Sequence, residues 1–153
     1  MRFLLIDKIT SWEPGKSASA VKSIALSEDF FEEHFPGRPI MPGTLILEGM
    51  AQLAGLLLEE TIRRPDNRPV KAVLSIVERA KFRSPAHPGD QLTYDAAIVS
   101  VNELGGKVEA KAQCGGEIKA DCRLVFAFRE FASPSLERRQ QEVVSLWMRD
   151  LCD

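Results

Sequence analysis

Thr44-Leu45-Ile46-Leu47-Glu48-Gly49-Met50-Ala51-Gln52-Leu53-Ala54-Gly55-Leu56-Leu57-Leu58 is the stretch from which the fold follows. Only Thr44, Glu48 and Gln52 are polar in it. Leu, Met and Ala favour a helix, and a helix apolar around most of its circumference is a buried one. The run is too short for a membrane span, which needs ~18 or more apolar residues, and a carboxylate interrupts it. The reading is a core helix, and strands in the rest of the chain wrap it. Leu92, Tyr94, Ala96 and Ile98 alternate with more polar neighbours. So do Val108, Ala110, Ala112 and Cys114, and then Ala120, Cys122, Leu124, Phe126 and Phe128. A period of two marks half-buried antiparallel strands with one face on a core. Gly105-Gly106 and Gly115-Gly116 read as hairpin turns between them. Further strands are predicted over 16–26, after the Pro14-Gly15 turn, and over 70–83, after a polar loop from Arg63 to Pro69.

From Ser133 the period returns to helical. Ser133 is placed to cap, Pro134 suits the first helical position, and Val143, Val144, Trp147 and Leu151 share a face. The fold class is therefore α+β. One long buried helix lies against a curved antiparallel sheet of at least five strands within residues 1–132, and 133–153 form a C-terminal helical extension. One sheet face does not cover a helix that is apolar all round, so a homodimer at least is predicted.

Composition narrows the function. Twenty Lys plus Arg against 22 Asp plus Glu leave a formal charge of -2, which argues against nucleic acid as the main partner. Cys114, Cys122 and Cys152 include no CxxC pair, and only four apolar residues run together before Asp7. Reduced thiols in the cytoplasm fit this better than a secreted disulfide scaffold. His34 and His87 lie apart from any cysteine pair, so no metal site is expected.

The chemistry concentrates in Glu33-His34-Phe35-Pro36-Gly37-Arg38-Pro39-Ile40-Met41-Pro42-Gly43. Prolines at 36, 39 and 42 stiffen an extended segment, which fixes a histidine in advance of substrate. Pro42-Gly43 opens the buried helix, whose first-turn N–H groups lack intrahelical partners and suit a polarised carbonyl oxygen or an anion. Glu48 stands in an apolar run, where desolvation favours the protonated carboxylic acid, a form able to act as general acid. Thr44, Glu48 and Gln52 are spaced i, i+4, i+8, so Gln52 can hydrogen-bond Glu48 and hold its rotamer.

The run from His34 to Gln52 resembles the signature of the 3-hydroxyacyl-[acyl-carrier-protein] dehydratases of dissociated fatty-acid synthesis. Phe3-Leu4-Leu5-Ile6-Asp7, Glu13-Pro14-Gly15-Lys16, and Phe82-Arg83-Ser84-Pro85 through Pro88-Gly89-Asp90-Gln91 match that family in the same order. The resemblance implies the hotdog fold, a long helix wrapped by an antiparallel sheet. It implies His34 and Glu48 as the catalytic pair, contributed by opposite subunits of a homodimer, with a trimer of dimers as the larger alternative. His34 would take the α-proton of a (3R)-3-hydroxyacyl thioester and Glu48 would protonate the departing hydroxyl. Gly43 N–H would polarise the thioester carbonyl, and Gln52 would orient Glu48. No cofactor is called for, since the substrate arrives on the phosphopantetheine of acyl carrier protein. Arg79, Lys81 and Arg83, spaced by two, form a candidate docking strip for that acidic carrier, with Arg63, Arg64 and Arg68 as further contributors.

Three rivals are weighed against this reading. The bifunctional dehydratase/isomerases resemble the motif but carry aspartate where Glu48 stands. A hotdog thioesterase would use a carboxylate to activate water and would not need the His-Phe-Pro loop. A non-catalytic acyl-binding scaffold subunit would be expected to lack His34 or Glu48. Gly49 stands where the family commonly has alanine, Ser84 where a basic residue is common, and the helical tail exceeds the typical family end. These departures admit polyene or polyketide lipid synthesis beside fatty-acid synthesis.

Overall fold

The computed structural model describes residues 3–66 and 69–151, so Arg68 and Cys152 lie outside the described residues. In chain order the elements are β1 (Lys8–Glu13), β2 (Ser17–Ser23), a 3-10 turn (Asp29–Glu32), α1 (Gly43–Asp66), β3 (Val70–Phe82), β4 (Gln91–Val101), β5 (Gly105–Cys114), β6 (Glu117–Glu130) and α2 (Pro134–Trp147). Six strands form one sheet in the order β1-β2-β4-β5-β6-β3, every neighbouring pair antiparallel. This is a hotdog fold. Helix α1 lies across one sheet face and touches β2 through β6. Ile46, Met50, Leu53, Leu57 and Leu58 from the helix meet Ala20, Leu92, Tyr94, Val108 and Leu124 from the sheet, all buried. At ~1.5–3 kcal/mol for each large apolar side chain removed from water, this helix–sheet contact is the main source of stability.

Three sequence readings need correction. The predicted polar loop from Arg63 onward begins later, because Arg63, Arg64 and Pro65 continue α1 to Asp66. Proline is tolerated there because the helix stops one residue later, leaving no further turns for a kink to displace. Basic side chains in a last turn also complement the helix dipole. Gly105-Gly106 is strand, not turn. The bend precedes it, where the Asn102 side chain accepts from the N–H groups of Leu104 and Gly105 at 2.8 and 3.2 Å. Glycine is required at these strand positions by close approach. A Cβ on Gly105 would stand 2.0 Å from the Phe126 carbonyl oxygen, and one on Gly106 would stand 2.5 Å from Leu58. Gly115 and Gly116 do make the hairpin, with φ of 56° and 84°. At the second helix Pro134 occupies the first turn as expected, but Ser133 makes no side-chain cap.

Gly49 has a packing reason. Tyr94 is fully buried beneath α1, and a Cβ at position 49 would lie 2.4 Å from its hydroxyl. That hydroxyl has no hydrogen-bond partner among the described residues. Burial, helped by the nearby Asp7 carboxylate, drives the Tyr94 pKa well above its ordinary value. Below about pH 10, the unperturbed tyrosine value, both folded and unfolded chains keep the phenol proton. Above it the unfolded chain ionises while the folded one resists, so stability falls as pH rises past that point. Tyr94 is the sole tyrosine of the chain. In a spectrophotometric alkaline titration, phenolate absorbance should rise together with unfolding, and a reversible rise near pH 10 in folded protein would contradict this burial.

Candidate active site

The segment between the 3-10 turn and α1 is held by its own backbone. His34 N–H donates to the Phe30 carbonyl at 3.0 Å, Phe35 and Arg38 exchange bonds at 3.2 and 2.9 Å, and Ile40 N–H returns to the His34 carbonyl at 2.9 Å. Met41 N–H ties the segment to the Ala86 carbonyl at 2.8 Å. The His34 ring stacks on Phe35 with centroids 4.1 Å apart. Its Nδ1 lies 2.7 Å from the Ile40 carbonyl oxygen. A carbonyl oxygen can only accept, so Nδ1 carries the proton and Nε2 of the neutral ring presents a lone pair. That is the tautomer a general base needs.

His34 lines a cavity of about 260 Å³ together with Gly43, Ile46, Phe82, Arg83 and Lys119. Gly43 opens α1; Leu45 and Ile46 N–H donate to the Pro42 carbonyl at 2.9 and 3.3 Å, so the N–H groups left over in the first turn are those of Gly43 and Thr44. A Cβ on Gly43 would stand 2.7 Å from the Phe82 ring, so glycine lets the helix start and the ring meet. His34, Gly43 and Arg83 are thus brought together at one mouth.

Glu48 is not at that mouth. Five residues at about 100° each place it about 140° around the helix from Gly43. It lines a second, open cavity of about 770 Å³ between α1 and β3, with Gln52, Gly55 and Leu74. Gln52 Nε2 donates to Glu48 Oε1 at 3.1 Å and to the Phe3 carbonyl at 2.9 Å. Its Oε1 accepts from Leu5 N–H at 3.1 Å. The amide is therefore oriented by the N-terminal segment and holds the carboxylate in turn. Glu48 is half-buried, so within a single chain it is not sealed from water as its apolar neighbours in sequence suggest.

The basic strip is not a regular strand face. The β3–β6 register shifts between Glu78 and Lys81, with Arg79 at φ 54°. The bulge breaks the period of two, and the one-face premise does not hold. Arg79 lines a groove with Asp95, Lys111, Asp121 and Arg123, and Arg83, just beyond β3, pairs with Asp121. Lys81 lies opposite Asp121 in the strand pairing. A cysteine nucleophile finds no support at Cys122, whose thiol is pushed up to about 12 by burial and by the neighbouring Asp121 carboxylate. Sequence reasoning missed the Ile40 carbonyl and the backbone of Phe3 and Leu5. Backbone groups carry no residue-type signal, although the Phe3–Asp7 block hinted at the second.

A family model described as a FabA-like domain matches residues 1–129. The chain belongs to the FabA-like family. Among its relatives, the 3-hydroxyacyl-[acyl-carrier-protein] dehydratase FabZ of Chlamydia trachomatis serovar L2 is 43% identical over 125 residues, 81% of each chain. The enzyme of the same name from Acetivibrio thermocellus is 43% identical over 82% of this chain and 84% of its own. Solved structures share the fold at low identity. The dehydratase heterocomplex ApeI:P from Xenorhabdus doucetiae matches with TM-score 0.67 and 14% identity over 89% of this chain and 88% of that one. The smu.793 protein of Streptococcus mutans, bound to acetyl CoA, matches with TM-score 0.64 and 16% identity over 82% and 90%. For this FabA-like chain the Gln52 clamp gives a direct test. Gln52→Leu leaves the buried Leu5 N–H without its acceptor, and chemical denaturation should show a loss of about 1–3 kcal/mol. Unchanged stability would show that the clamp does not hold the N-terminal segment.

Proposed function

We propose that this protein dehydrates (3R)-3-hydroxyacyl thioesters of acyl carrier protein to trans-2-enoyl thioesters, in fatty-acid synthesis or a related lipid pathway. The observation that carries the reading is the fixed tautomer of His34, with Nε2 available as a base at a cavity that Gly43, the first residue of α1, also lines. His34 Nε2 takes the α-proton, and the C–H electron pair becomes the new C=C bond. The C3–O bond breaks, and the hydroxyl leaves as water with the proton of the Glu48 carboxylic acid. The α-proton is acidified when Gly43 N–H donates to the thioester carbonyl. Each positioned acid or base typically contributes ~10²–10⁴-fold, and one carbonyl donor ~3 kcal/mol.

Within one chain α1 stands between the base and the acid. A helix with its side chains is about 10 Å across, too thick for one substrate carbon pair to touch both. This supports a homodimer in which His34 of one copy faces Glu48 of the other. The surface for it is present: β3 is a sheet edge with Val73, Leu74, Ile76 and Val77 exposed. A long apolar edge is a pairing surface. Two copies meeting there would seal the groove holding Glu48 and supply the desolvation a protonated acid requires. Arg83 at the mouth, with Arg79 and Lys81 nearby in sequence, is assigned to receiving the carrier. Unpaired thiols at Cys114 and Cys122 support a reducing, cytoplasmic setting. No helix among the described residues is long and apolar enough to cross a membrane.

Product mass from a medium-chain 3-hydroxyacyl-carrier substrate tests the reaction. Wild type should give the enoyl thioester, while His34→Ala and Glu48→Gln keep native circular dichroism and lose at least ~10²-fold in kcat/KM. Free thiol without enoyl product would indicate a thioesterase, and no turnover of any chain a non-catalytic scaffold. Assembly is tested separately. Ile76→Lys places a charge on the β3 edge and should give monomers by light scattering, with activity lost alongside. An active monomer would refute the shared site.

A further inference from the structure

Helix α2 lies beyond the residues matched by the family, yet it forms part of the cavity that holds Glu48. Along α1 the residues facing this cavity are Glu48, Ala51, Gln52, Gly55, Leu56 and Glu59. Their spacing of three and four puts them on one stripe of the helix. The small Ala51 and Gly55 leave its middle open. The opposite wall is α2, which contributes Leu136, Val143, Val144 and Trp147. Polar groups cluster near the two ends. Glu48 and Gln52 stand at one, and Glu59, Lys71 and Gln140 at the other; Arg139 of α2 also reaches the lining, and the remaining side chains are apolar.

The far end also fixes α2 in place. Glu59 is buried, with one carboxylate oxygen accepting from Ala72 N–H at 3.0 Å and the other from Gln140 Nε2 at 2.8 Å. Lys71 stands 3.5 Å from Glu59 and donates to Gln140 Oε1. Trp147 anchors the last turn of α2, only 6% exposed. From Glu48 to Glu59 the stripe runs about 16 Å at 1.5 Å per residue. An extended alkyl chain, made of ~1.5 Å tetrahedral C–C bonds, would fill that length with roughly a dozen carbons.

We propose that α2 is the outer wall of the acyl compartment and that Leu136, Val143 and Trp147 set how much a medium or long acyl chain contributes to binding. This deepens the dehydratase reading and rests on it, since the chain must enter beside Glu48. Carbons near the thioester stay close to Glu48, and only the distal part of a long chain runs under α2.

The readout is the ratio of kcat/KM for a fourteen-carbon 3-hydroxyacyl-carrier substrate to that for the four-carbon one. Val143→Trp fills the cavity and should lower this ratio by about tenfold or more. Leu136→Trp, at an exposed position that tolerates bulk, is the second filling variant. Glu142→Trp, on the same helix at an exposed position outside the cavity, should keep the wild-type ratio. If both filling variants keep the wild-type ratio, or Glu142→Trp lowers it equally, α2 is not the acyl wall although the enzyme is a dehydratase. Wild-type protein that turns over neither substrate overturns the dehydratase reading itself.

Discussion

The burial of α1 is the constraint on which the rest depends. The helix is apolar over more of its circumference than one sheet can cover, so it packs against β2 through β6 on one side and leaves a second side to other partners. The hydrophobic effect is non-directional and scales with area removed from water, so it demands cover without specifying which element provides it. Here the cover comes from three sources: the sheet, helix α2, and the open β3 edge on which a second copy is inferred to dock. Glu48 and Gln52, which interrupt the apolar run, face the cavity bounded by β3 and α2.

That arrangement makes the helix a divider as well as a core. At its start, Gly43 and His34 line one cavity. About 140° around, Glu48 and Gln52 face a different cavity. In the proposed reaction these are the base and the acid, and within one chain the helix keeps them apart. The proposed assembly then brings them together on a substrate from two directions, each already oriented by its own chain. His34 is set by the Ile40 carbonyl, and Glu48 by a glutamine that is itself clamped at Phe3 and Leu5. The first device uses a backbone group directly; the second uses a glutamine side chain whose own rotamer entropy is lost in the clamp.

Much of this was legible beforehand where the signal was local. The period of two and the apolar run gave the strands and the core helix, and the Pro-spaced segment singled out His34. Failures came where a residue type has two physical uses. Gly105 and Gly106 looked like a turn, yet they are strand glycines needed because Phe126 and Leu58 approach too closely for a Cβ. Pro65 looked like a helix breaker and sits where there is little helix left to break. Arg79, Lys81 and Arg83 read as one alternating strand face, and a bulge breaks that alternation.

The sequence by itself determined the α+β class, the buried helix and the chemically unusual residues, because periodicity, propensity and isolated polar groups in apolar runs act over a few neighbours. Only the tertiary structure decided that His34 and Glu48 lie on opposite sides of α1, that Tyr94 dictates Gly49, and that α2 returns to line the Glu48 cavity. Those outcomes depend on contacts between residues 45 to 100 positions apart. Their geometry is set by how helix and sheet fill space together, and no local stretch of chain encodes it alone.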